Sequence, residues 1–135
     1  MGRRELREQI FKLLFRVEFY ETEDMPEQIT LFFEDGEEEM TEADRLYIAG
    51  KYAGIMNRLS EIDVLLNEKA EKWTTGRMGK AELTILRLAV YEILFDEDVP
   101  AGVAINEAVE LAKKFAHDGA GPFVNGILAR FAGRE

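Results

Sequence analysis

Lys80-Ala81-Glu82-Leu83-Thr84-Ile85-Leu86-Arg87-Leu88-Ala89-Val90-Tyr91-Glu92-Ile93-Leu94-Phe95 is the stretch on which the fold turns. Leu83, Leu86, Val90, Ile93 and Leu94 recur at helical spacing, and Ile85, Leu88 and Ala89 carry apolar surface beside them. A helix that is apolar nearly all round must be enclosed by other elements. Residues 80–95 are therefore expected as a central, buried helix.

Working outward, Asp96 to Pro100 reads as a turn. A helix follows over 103–116, with Ile105, Ala108, Val109, Ala112 and Phe115 on its apolar face. Gly119-Ala120-Gly121-Pro122 is expected to break the chain before a last helix over 123–132. On the other side, Thr74 to Gly79 reads as a linker. Ser60 with Asp63 three residues later resembles a capping box, opening a helix that ends near Trp73. Thr41 with Asp44 repeats that signal for a helix through about Leu59. Residues 26–33 form a short helix with Pro26 in its first turn, and residues 3–20 form the opening helix. Asp35-Gly36-Glu37-Glu38-Glu39 reads as a solvated loop. No segment alternates with the period of a strand. The expectation is an all-α chain, a compact bundle of about seven helices in a single domain over 1–135.

A chain of 135 residues buries about 68 % of its unfolded surface, enough for a core without covalent staples. Cysteine is absent. That excludes disulfides, thiolate nucleophiles and Cys-based zinc sites, and it suits a reducing, cytoplasmic setting. No apolar run reaches the ~20 residues of a membrane span. The N-terminus turns amphipathic at once, without the apolar core of a signal peptide. Met1-Gly2 has Leu6 where a myristoylation signal needs Ser or Thr.

The net charge of −10 argues at first against nucleic acid. Its distribution argues otherwise. Residues 21–44 hold eleven acids and no base, and the rest of the chain carries 17 bases against 16 acids. Local charge decides where a polyanion can sit.

Catalytic and metal-binding chemistry finds little footing. His117 is the only histidine, so a histidine metal cluster is excluded and a hydrolytic triad has one candidate base, beside a Gly-rich break. Gly76-x-x-Gly79-Lys80 lacks the spacing and hydroxyl of a phosphate loop. Asp96-Glu97-Asp98 begins like an acidic calcium loop, but Val99-Pro100 follows and no Glu fits its twelfth position. Glu37-Glu38-Glu39 reads as solvated loop rather than metal site. No catalytic residue, metal or cofactor is expected.

The opening helix carries more. At 100° per residue, Leu6, Ile10, Leu13, Leu14, Val17 and Tyr20 form a core stripe. Arg3, Arg4, Arg7, Phe11 and Phe15 occupy one flank, with Lys12 and Arg16 further round. Residues 1–16 hold five bases and two acids. Cations beside flat rings are what an unpaired RNA strand needs. The same pattern also fits arginines that snorkel while Phe11 and Phe15 fill a second core face. Arg87, in the most apolar helix, needs a carboxylate such as Glu107 or Glu110, or else an anion; an internal ion pair is the preferred expectation.

Three strings carry a resemblance. Leu83-Thr84-Ile85-Leu86-Arg87-Leu88-Ala89-Val90-Tyr91-Glu92 is followed by Asp98-Val99-Pro100 and then Val103-Ala104-Ile105-Asn106-Glu107-Ala108-Val109-Glu110-Leu111-Ala112-Lys113. After the break comes Phe123-Val124-Asn125-Gly126-Ile127-Leu128. In this order and spacing they resemble the NusB family of bacterial transcription antitermination factors, and Arg3-Arg4-x-x-Arg7-Glu8 with Leu13-Leu14-Phe15 is similar to that family's opening helix. The resemblance implies a small helical factor without enzymatic activity. It implies binding to the single-stranded boxA element of ribosomal RNA leaders together with the ribosomal protein NusE, and indirect association with other Nus factors and RNA polymerase.

Position by position, the resemblance implies RNA contacts at Arg3, Arg4, Arg7, Arg87, Phe123 and Asn125, with the Phe123 ring against RNA. Glu82 and Glu107 fall on surfaces that would meet NusE. Asn106 and Asn125 also fit local backbone caps. The expected mechanism brings cations of the first helix and a ring of the last to one exposed surface. Glu5 interrupts the arginine run, and Pro122 with Gly119-Ala120-Gly121 thins the charge near Phe123. Unaided binding is therefore expected to be weak, salt-dependent and completed by the partner. Some relatives self-associate through the RNA-facing surface, which Phe11 and Phe15 would serve in a homodimer. Two other readings stand beside this one. Similar domains tether RNA at the N-terminus of some RNA cytosine methyltransferases, although this chain ends at Glu135 without such a domain. The acidic 21–44 segment is either a protein-docking surface or a solvated connector.

Overall fold

A computed structural model describes residues 1–36 and 39–132. The described residues contain seven α-helices joined by turns and short 3-10 segments. The chain divides into two compact units, the first Met1–Met56 and the second beginning at Asn57. Glu37 and Glu38 of the expected acidic loop lie outside the described residues. Among those described, no helix is long and apolar enough to cross a membrane.

In the first unit, α1 (Arg3–Phe15) buries Ile10, Leu13 and Leu14, as the stripe requires. The helix stops five residues short of the expected end. A 3-10 turn over Arg16–Glu18 takes its place. That tighter winding turns the later positions off the stripe, leaving Val17 half-buried and Tyr20 46 % exposed. The guanidinium of Arg16 reaches the next helix, α2 (Met25–Asp35). It donates to the backbone oxygen of Gln28 at 3.2 Å and to its side-chain Oε1 at 2.9 Å, and lies 5.4 Å from the Phe32 ring centroid.

The third helix, α3 (Glu42–Asn57), opens with the expected capping box. Thr41 N–H donates to the Asp44 carboxylate and Asp44 N–H to the Thr41 hydroxyl, both at 3.0 Å. The N-terminal ammonium lies 3.5 Å from the same carboxylate. The Thr41 backbone bond first, then its hydroxyl contact and the ammonium, hold the Asp44 carboxyl below its ordinary 3.8 against an opposing effect of burial.

In the second unit, α5 (Lys80–Phe95) is enclosed as expected, every residue from Leu83 to Val90 being buried. It packs against α6 (Ala101–Phe115) and α7 (Ala120–Ala132), which pack on each other, and α4 (Leu59–Lys69) lies against α5 and α7. Several expected boundaries shift. Ser60 and Asp63 do not cap α4, which begins at Leu59 without a side-chain cap; Asp63 is engaged elsewhere. The glycine-rich segment does not separate α6 from a helix starting at 123. Ala120, Gly121 and Pro122 already form the first turn of α7, where a proline lacks no bond the helix needs.

Candidate nucleic-acid interface

The last helix positions its functional side chains through its own amphipathic pattern. Val124, Ile127, Leu128 and Phe131 point inward and are buried. Phe123 and Asn125, one position away on either side of Val124, are left half-buried and exposed respectively. Asn125 sits inside the helix and makes no side-chain hydrogen bond among the described residues, so it is not a cap.

The Phe123 ring meets the Trp73 ring edge to face, with centroids 5.7 Å apart and an interplanar angle of 86°. Trp73 is 44 % exposed. Together they wall an open groove of about 330 Å³, whose rim includes Lys72, Pro122 and Arg130. Several bonds fix this corner. At the end of α4, Glu71 takes a left-handed φ of 54°, which stops the helix four residues before the expected end at Trp73. Arg130 donates to the Lys69 backbone oxygen and places its other terminal nitrogen 3.7 Å from the Glu71 carboxylate. Thr75 N–H donates to Asn67 Oδ1 at 2.8 Å, holding a 3-10 turn over Thr75–Arg77. That turn brings the Arg77 guanidinium to 5.9 Å from the Trp73 ring centroid. Rings and cations are thus preorganised on one surface of the second unit.

The arginines expected in the site divide. Arg3 and Arg4 are exposed on α1. Arg7 is not on the open flank: only 7 % of it is accessible. Phe11, on the same flank, is also buried at 3 % and stacks on half-buried Phe15 with centroids 5.5 Å apart. Of the two alternatives for that flank, Phe11 follows the second core face, and it has no surface to offer to a second copy.

Arg87 forms the expected internal ion pair, and Asp63 is a carboxylate that holds it. Its Nε and one terminal nitrogen donate to the two carboxylate oxygens at 2.9 and 2.8 Å. The two-point geometry is the strong form of this interaction, and it leaves 10 % of the Arg87 side chain accessible.

Glu82 and Glu107, expected toward a protein partner, are half-buried. The Glu82 carboxylate lies 3.5 Å from His117 Nε2, while His117 Nδ1 accepts the Gly119 N–H at 3.2 Å. His117 thus closes the turn before α7. The 73–77 corner leaves little trace in the sequence. Its only signal was the lone tryptophan four residues before Arg77.

Residues 4–133 match the model of the NusB family. The chain is 49 % identical over 132 residues to the transcription antitermination protein NusB of Agathobacter rectalis, covering 98 % of this chain and all of that protein. It is 48 % identical to the corresponding protein of Lachnoclostridium phytofermentans, covering 96 % and 98 %. Among solved structures, it superposes on T. maritima NusB with a TM-score of 0.88 at 37 % identity, over 100 % of this chain and 93 % of that one. It also superposes on a chain from a crystal structure of the antitermination factors NusB and NusE in complex with double-stranded RNA. There the TM-score is 0.84 at 26 % identity, over 98 % and 97 % of the two chains.

Proposed function

This chain belongs to the NusB family of transcription antitermination proteins, and from that premise we propose that it binds boxA-type single-stranded RNA together with NusE in the cytoplasm, acting by binding and positioning rather than by catalysing a reaction. The observation that carries the reading is the Phe123 ring: it is half-exposed on α7 and edged by cations, not sealed in the core. A flat ring beside positive charge suits unpaired bases and their phosphates. The solved complex of NusB and NusE with double-stranded RNA, similar in fold, supports RNA and NusE as partners; the choice of a single strand rests on the ring.

The roles divide by accessibility. Arg3 and Arg4 hold phosphates, Phe123 stacks and Asn125 offers an amide that makes no side-chain hydrogen bond among the described residues. Buried Arg7, and Arg87 held by Asp63, act from within by fixing the helices that carry the contacts. Glu82 and Glu107 serve the NusE-facing surface. The test is a mobility shift of boxA-type RNA by the chain plus NusE at low salt. Phe123→Ala is expected to weaken the shift about tenfold, the scale of one lost base stack. Equal binding by Phe123→Ala and the parent would overturn the assignment.

A further inference from the structure

We propose that Trp73 is a second stacking ring of this RNA site, that one unpaired nucleobase lies on its exposed face, and that Arg77 and Lys72 meet the phosphates on either side. This inference rests on the RNA reading of the preceding subsection. It adds a corner that neither the family resemblance nor the paired arginines pointed to.

Three observations converge on that corner. First, Trp73 is 44 % exposed to water, and a stacked base would gain by covering its apolar surface. Second, the ring is not free to collapse. It meets Phe123 edge to face, and the chain on either side of it is pinned by the bond from Thr75 N–H to Asn67 and the bond from Arg130 to the Lys69 backbone. A base would therefore meet a platform already in place, with little ordering left to do. Third, the surrounding charge suits a polyanion. Arg77 stands over the indole and Lys72 lines the groove, while Glu71, the acid at the rim, is engaged by Arg130. A protein segment of ordinary composition would match the rings equally well, but not the cations.

Trp73 is the only tryptophan in the chain, so its fluorescence reports this ring alone. A short boxA-type single-stranded RNA is titrated into the full chain at low salt, with binding followed in parallel by anisotropy of the labelled RNA. Quenching of Trp73 is expected to track the anisotropy, and the same RNA annealed to its complement is expected to quench far less. In the presence of NusE, Trp73→Ala is expected to lower RNA affinity about tenfold and Trp73→Phe distinctly less, with helix content unchanged by circular dichroism. RNA that binds the parent without quenching, together with Trp73→Ala binding as tightly as the parent, overturns this inference and leaves the RNA reading intact. Absence of RNA binding by the parent with NusE overturns both. Quenching by NusE alone, unaffected by added RNA, overturns the assignment to a base and makes the corner a protein contact.

Discussion

The arginines of α1 and the arginine of α5 both sit on helices with apolar surface, yet the two units treat them differently. In the first unit Arg3 and Arg4 remain in solvent, while Arg7, one turn on, is buried. In the second, Arg87 is drawn inside and bound at two points by a carboxylate from a neighbouring helix. The difference teaches that a cation's angle on its own helix does not decide whether it can reach a ligand. What decides is whether another element covers that flank, and whether that element brings a carboxylate.

The sharpest way to break this comparison is at Phe11. If the α1 flank is core there, Phe11→Ala removes a buried ring and costs about 4 kcal/mol in denaturant unfolding. A cost below about 1 kcal/mol would return that flank to the surface. Next comes Asp63. Asp63→Ala takes away the carboxylate that two nitrogens of Arg87 share and is expected to cost about 3 kcal/mol. Joining it to Arg87→Met should regain part of the loss, because the guanidinium that Asp63 held leaves with it.

Smaller effects belong to the first unit. Thr41→Ala should cost about 1 kcal/mol by removing the hydroxyl that caps α3. The carboxyl of Asp44 is held below 3.8 in the folded chain, so its charge stabilises the fold at neutral pH, and that contribution fades as the pH falls below 3.8. The gap in melting temperature between the parent and Asp44→Asn should accordingly close in acid. Smallest in stability, and decisive for function, is Arg3→Ala with Arg4→Ala. Unfolding should change by no more than about 0.5 kcal/mol. The salt dependence of RNA binding with NusE should flatten by about one unit of slope per cation removed. An unchanged slope would take α1 out of the RNA contact.

Much of this was legible in the sequence. The continuous apolar character of 80–95 gave the buried helix, and Thr41 with Asp44 gave a cap that forms bond for bond, because both signals are local. The same short pattern at Ser60 and Asp63 misled, since Asp63 binds an arginine 24 residues away and no local rule counts that competitor. The opening helix ran short for a related reason: its 3.6-residue period cannot announce a change to tighter winding at Arg16. The Trp73 corner was the least legible. It depends on a left-handed residue that is not glycine and on an arginine from the far end of the chain, neither of which leaves a periodic trace.

That left-handed residue has a consequence of its own. An acid at φ 54° sits where glycine would rest without steric cost. Exchanging Glu71 for glycine would relieve the crowding but grant the unfolded chain more freedom and cut the tether to Arg130, so the net change in melting point should be slight. What would alter is the looseness of the indole's perch. Drift at this position across generations would thus be screened by how steadily the corner presents its ring, with heat resistance nearly blind to it.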